Sequence, residues 1–104
     1  MPDLLSMAAL LVQHRITDLE TFLGTYAEYA EAREQDGVTE EHIFQPNDDP
    51  QTIVVIVFFD STEAAENHLT FLREQVWTSA AAARGMGGEP HGMVLHEVDI
   101  GSET

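Results

Sequence analysis

Cysteine and lysine are both absent from this 104-residue chain. Without cysteine there is no thiolate nucleophile, no redox switch and no cysteine-ligated zinc or iron–sulfur site, a composition that fits a reducing cytoplasm. Without lysine, positive charge is confined to Arg15, Arg33, Arg73 and Arg84, set against 19 acidic residues for a formal net charge of −15. A surface of that sign repels phosphate backbones and anionic lipid, and the four arginines are scattered, so neither nucleic-acid nor membrane partners are expected. The carboxylates instead provide a strongly solvated surface, or one adapted to high salt, where their mutual repulsion is screened. Long apolar runs are missing as well: none reaches the roughly 20 residues of a membrane span. Met1 to Gln13 does not read as a secretory leader, because Asp3 stands where a basic segment belongs and no small-residue cleavage site follows. The expectation is a soluble cytoplasmic protein.

What is present is one plan used twice: an apolar strand, a polar break with a helix-capping residue, and an amphipathic helix closed by glycine. Met7 to Val12 is continuously apolar, as in a strand covered on both faces, and ends in the polar pair Gln13-His14. Thr17 to Glu20 matches a capping box, in which the threonine and the glutamate each satisfy a free backbone N–H. Leu19, Phe22, Leu23, Tyr26, Ala30 and Arg33 follow as one helical stripe, and Gly37 closes the helix. Val38 to Gln45 reads as a more polar strand, followed by the turn formers of Pro46 to Pro50. Thr52 to Phe59 is the strongest strand, β-branched and unbroken. Asp60 to Glu63 repeats the helix-start signal, and Ala65, His68, Leu69, Leu72 and Val76 form the inward stripe of a second helix that the alanines Ala80 to Ala83 extend towards Gly85. Gly85 to Pro90 is a flexible connector, and Met93 to Ile100 is the last strand.

The order is β-α-β-β-α-β, which predicts an α+β, ferredoxin-like sandwich: a four-stranded antiparallel sheet with two helices on one face. At this length one core suffices, since such domains bury roughly two thirds of their unfolded surface. The chain is read as a single domain over 1–104, with a core from about 7 to 100 and a frayed tail at 101–104. Two helices cover only one face of the sheet, yet both central strands are apolar on both faces. Several hundred Å² of apolar surface at about 25 cal/mol per Å² is too much to leave in water, so an obligate homodimer is expected, packed sheet on sheet.

In these features the chain resembles the dimeric α+β barrel superfamily, in particular small members related to antibiotic-biosynthesis monooxygenases and to proteins described as cyclases. The resemblance runs from Leu10 to Ile100. It rests on Val12 to Asp18 at the first strand-to-helix junction, Asp36-Gly37-Val38 before the second strand and the Asn47 to Pro50 hairpin. It rests further on Phe58 to Ala65 at the second junction and Gly88-Glu89-Pro90 before a final strand with Glu97. It implies a pocket between sheet and helices, and the superfamily's range, from cofactor-free oxygenases acting on aromatic polyketides to isomerases and haem-degrading enzymes, leaves the reaction open. His68 stands where monooxygenase-like members carry a pocket-facing histidine. The Ser-Pro-His-Phe continuation of those members is replaced here by Thr70-Phe71-Leu72-Arg73, and Phe59 or Asp60 stands where many of them place a tryptophan after the third strand.

His68 is therefore the candidate catalytic residue, able to accept a proton from an activated phenol near neutral pH or to polarise a bound carbonyl. His14, in register with Leu10 and Val12, and His96, which shares a face with Val94, are candidate ligand-binding residues together with Tyr26, Phe59, His68 and Trp77. His42 and His91 read as solvated. No metal and no cofactor are expected: His91 and His96 are five apart on a strand and face opposite ways, and the glycines at 85, 87 and 88 precede a strand, the wrong context for a phosphate loop. The functional expectation is a homodimer that binds a small aromatic or polyketide-like molecule as a cofactor-independent monooxygenase or a cyclase or isomerase. The alternative is a non-catalytic ligand-binding or interaction protein whose pocket is filled by Phe22, Tyr26, Leu72 and Trp77. If these side chains leave a cavity below the ~300 Å³ of an ordinary ligand site, the enzyme expectation is to be dropped.

Overall fold

A computed structural model describes residues 7–79, 87, 89–98 and 101. Four strands, β1 (Ala8–Arg15), β2 (Val38–Phe44), β3 (Thr52–Phe59) and β4 (His91–His96), form one sheet in the order β2-β3-β1-β4. Every neighbouring pair is antiparallel. Helices α1 (Leu19–Glu28) and α2 (Ala30–Gln35) connect β1 to β2, and α3 (Thr62–Phe71), continued by a π-helical turn at Leu72–Val76, follows β3. This is the ferredoxin-like α+β arrangement. Among the described residues, no helix is long and apolar enough to cross a membrane.

The two most apolar strands take the two central positions, where both faces are covered or coverable. Leu10 pairs with Val57, Val12 with Val55 and His14 with Ile53, and these side chains point towards the helices. Phe59, Leu10 and Ile53 are fully buried there, packed against Phe22, Ala65 and Leu69. The opposite face carries Leu11, Val54, Ile56 and Phe58, flanked by Phe44 of β2 and Met93 of β4, the last two more than half exposed. A bulge in β2 between Val38 and Glu40 changes which acid faces which way. Glu40 and His42 lie on the open face, and Glu41 turns under the helices.

Four sequence expectations are corrected. Both helix caps sit one residue later than expected: Asp18, not Thr17, accepts from the Thr21 backbone N–H at 2.8 Å, and Ser61, not Asp60, accepts from that of Ala64 at 3.1 Å. The chain is still in the sheet at Ile16, whose N–H donates to the Gln51 carbonyl, so the first helix cannot begin sooner. The first helix is broken at Tyr29, and its inner face is Phe22, Tyr26, Tyr29 and Arg33, leaving Leu19 and Leu23 exposed. The last strand starts at His91 and ends at His96, because its partner β1 begins at Ala8. The expected helical extension over Ala80 to Ala83 with its Gly85 stop and the end of the tail at 102–104 lie outside the described residues.

Candidate functional site

Between sheet and helices lies a half-enclosed, mainly apolar cavity of ≈ 80 Å³. Leu10, Val12 and His14 of β1 with Val55 and Val57 of β3 form its floor. The four residue-to-residue steps from Leu10 to His14 give it a run of roughly 13 Å along the strand. Phe22, Thr25, Tyr26, Tyr29 and Arg33 close it from the first helical segment, and His68, Leu72, Val76 and Trp77 from the second. The π turn shapes this second wall: the Trp77 N–H donates to the Leu72 carbonyl at 2.7 Å, and the extra residue in the turn brings both Val76 and Trp77 to the cavity. Trp77 in turn requires a bare backbone on β4. A Cβ built on Gly92 would stand 3.2 Å from Trp77 Cη2 and 2.7 Å from Leu69 Cδ1.

His68 is 3% exposed and sits at the Phe59 end, its ring centroid 5.6 Å from that of Phe59 and 5.8 Å from that of Phe71. Its Nδ1 is 2.7 Å from Asp36 Oδ2. The fold explains this meeting across 32 residues. Val38 pairs with Phe59, so the turn at Asp36-Gly37 is delivered to the edge of α3, and Gly37 with φ +96 makes that turn without strain. An ionised carboxylate only accepts, so Nδ1 carries the proton and Nε2 of the neutral ring keeps its lone pair for a ligand.

His14 stands at the other end, against Phe22 at 5.4 Å between ring centroids. Its Nδ1–H donates to the Arg15 carbonyl at 2.9 Å, which again leaves Nε2 as an acceptor. Burial pulls the His14 pKa below the ordinary 6.5, only partly opposed by that backbone bond, and the ring is neutral at pH 7.

The cavity's remaining polar wall is self-satisfied. Arg33 lies 3.5 Å over the Tyr26 ring, donates through Nε to Glu41 Oε1 at 2.8 Å and through Nη1 to the Tyr26 carbonyl at 2.7 Å. The Tyr26 hydroxyl also donates to Glu41, and burial followed by this bond raises its pKa above 10, so the phenol stays protonated. This cluster ties the broken helix to β2.

Of the residues singled out from sequence, His14, Tyr26, His68 and Trp77 are brought together around the cavity. Phe59 is wholly buried beneath His68 and does not line it, and His96 is exposed at the far end of β4, opposite Ala8. Asp36, Arg33 and Glu41 were not singled out as site residues. An acid just before a helix-closing glycine was the available signal for Asp36. Among the described residues, no group of three histidine, aspartate or glutamate side chains is placed to hold a metal ion.

Phe22, Tyr26, Leu72 and Trp77 hold the cavity below the ~150 Å³ that accommodates benzene and well below an ordinary ligand site, so an aromatic ring enters only where one of these side chains moves aside.

Residues 8–91 match the model of the family described as antibiotic biosynthesis monooxygenase. Among solved structures the chain is similar to SnoaB, a cofactor-independent oxygenase from Streptomyces nogalater, with 13% identity, a TM-score of 0.69, and 94% of this chain and 99% of that one covered. It is similar to a protein of unknown function from Nitrosomonas europaea, with 17% identity, a TM-score of 0.67, and 93% and 94% covered. It is also similar to a dimeric ferredoxin-like protein from an uncultured marine organism, with 13% identity, a TM-score of 0.64 and 90% of each chain covered. At such identities the likeness is one of fold. No curated protein matches the chain.

Proposed function

The chain belongs to the antibiotic biosynthesis monooxygenase family, and from that premise we propose that it is a homodimeric barrel protein, one domain per chain, that binds a small phenolic molecule between sheet and helices and oxidises it with dioxygen without a cofactor. The observation that carries this reading is the bond from buried His68 to partly exposed Asp36 at the end of an apolar cavity. His68 Nε2 takes the phenol proton, and Asp36 holds the ring in the tautomer that can do so and stabilises the imidazolium that forms. The phenolate is electron-rich enough to reduce dioxygen directly. One oxygen atom enters the ring carbon and the other leaves as water, so phenol plus dioxygen gives quinone plus water with no external reductant. The apolar lining favours this by keeping water from the reacting ring. The homodimer follows from the uncovered apolar face of the sheet.

As its side chains stand, the cavity of ≈ 80 Å³ is too small for the enzyme reading, which requires the pocket to open, and it favours a second reading, a non-catalytic dimer whose pocket is filled by its own side chains. A thermal-shift screen against phenols, haem and divalent metals, run alongside oxygen-electrode assays, separates the two. A phenol at a hundred times its dissociation constant should stabilise the protein by about 2.7 kcal/mol. Oxygen uptake should fall by about a hundredfold or more in His68→Ala. Phenols that neither shift the melting temperature nor consume oxygen would establish the filled pocket.

A further inference from the structure

The inner cavity between sheet and helices holds ≈ 80 Å³, so a ring can enter only after one of the four side chains that fill it has moved. The four are held differently. Phe22 is buried and packed against His14, with 5.4 Å between ring centroids. Leu72 and Trp77 are joined through the backbone of the π turn, where the Trp77 N–H donates to the Leu72 carbonyl, and the indole lies against Gly92. Tyr26 is half-buried, and its ring faces the cavity while its hydroxyl donates to Glu41 on the edge strand β2. Glu41 is exposed, so water can take over both ends of that bond.

The backbone around Tyr26 is also the least regular part of this wall. Tyr26 stands in the last turn of α1, a helix whose buried side chain is Phe22. The Tyr29 N–H donates to the Tyr26 carbonyl, three residues back, at 3.2 Å, and Arg33 Nη1 donates to the same carbonyl at 2.7 Å. Arg33 is anchored in turn on Glu41 through Nε at 2.8 Å, and its guanidinium lies 3.5 Å over the Tyr26 ring. Arg33 and Glu41 thus hold each other whether or not the tyrosine is in place. A helical tyrosine has two favourable χ1 wells, so its ring can leave one direction for another while the helix stays folded.

We propose that Tyr26 is the gate of the inner cavity. Closed, its ring fills the space and is latched by the Glu41 carboxylate and the Arg33 guanidinium. Open, it turns out to solvent and leaves room for one aromatic ring of its own size. This rests on the aromatic-binding reading above and says how the ligand gets in. Because the closed form predominates, a ligand binds through the open fraction alone, and its apparent affinity is reduced by that fraction.

Calorimetric titration of the intact protein with phenol and with toluene, in wild type and Tyr26→Phe, tests this. The variant keeps the ring and removes the latch to Glu41. A bond to a charged acceptor is worth about a factor of ten or more, so the variant should bind both ligands about tenfold more tightly than wild type while melting at a lower temperature. A hydroxyl with a structural role alone would lower the melting temperature without tightening either ligand. If phenol gains and toluene does not, the vacated Glu41 is accepting the phenol hydroxyl and the gate is refuted. If phenol binds and the variant takes up both ligands no better than wild type, Tyr26 is a fixed wall; the gate is again refuted and the aromatic-binding reading stands. If neither ligand binds either protein, both fall.

Discussion

Burial governs how His14 responds to acid. Its neutral form is favoured by burial, so its folded pKa lies below the 6.5 of the unfolded chain. Above pH 6.5 neither state is protonated and His14 imposes no penalty. As pH falls from 6.5 towards the lowered folded value, only the unfolded chain gains the proton, and stability is lost until both states are protonated. Urea midpoints should therefore decline on acidification from pH 7 to 5, and His14→Gln should flatten that slope relative to wild type. At this scale the sequence was informative where one side chain announces itself: His14, Tyr26, His68 and Trp77 were each legible from strand register or helical spacing. Asp36 was not, because an acid before a helix-closing glycine marks a turn and says nothing of a partner 32 residues away.

The elements show where local signals suffice. β3 has the bounds read from its β-branched run, Thr52–Phe59, since a central strand needs only continuous apolar side chains. The helix starts were read one residue early at both junctions, because Thr17-Asp18 and Asp60-Ser61 each offer two competent caps. Ser61 is the residue that bonds the helix, so Ser61→Ala should cost about 1 kcal/mol in chemical denaturation, and Asp60→Ala, one residue outside the cap, should cost little. The break at Tyr29 and the π turn at Leu72–Val76 leave no trace in apolar periodicity, which tolerates one added residue without losing its stripe. Both irregularities border the cavity.

For the whole molecule, the open face of the sheet outweighs the charge. Leu11, Ile56 and Phe58 lie at its centre, with half-exposed Phe44 and Met93 on the flanking strands. In the proposed homodimer, two protomers each carrying −15 approach to cover it. Sedimentation equilibrium should give a dimer whose dissociation constant falls as salt rises, since the screening length shrinks from about 10 Å at 0.1 M to about 3 Å at 1 M. Ile56→Glu should yield monomer at all salt concentrations, because it places a charge at the centre of the apolar patch. A wild-type protein that stays monomeric at high salt would remove the case for the dimer.

Trp77 is the chain's one tryptophan, and it stands in the wall of the inner cavity with its ring against Gly92. Any molecule that seats there changes the polarity around the indole. Its fluorescence thus serves as an intrinsic optical reporter, and occupancy can be followed in unlabelled solution before a product has been identified.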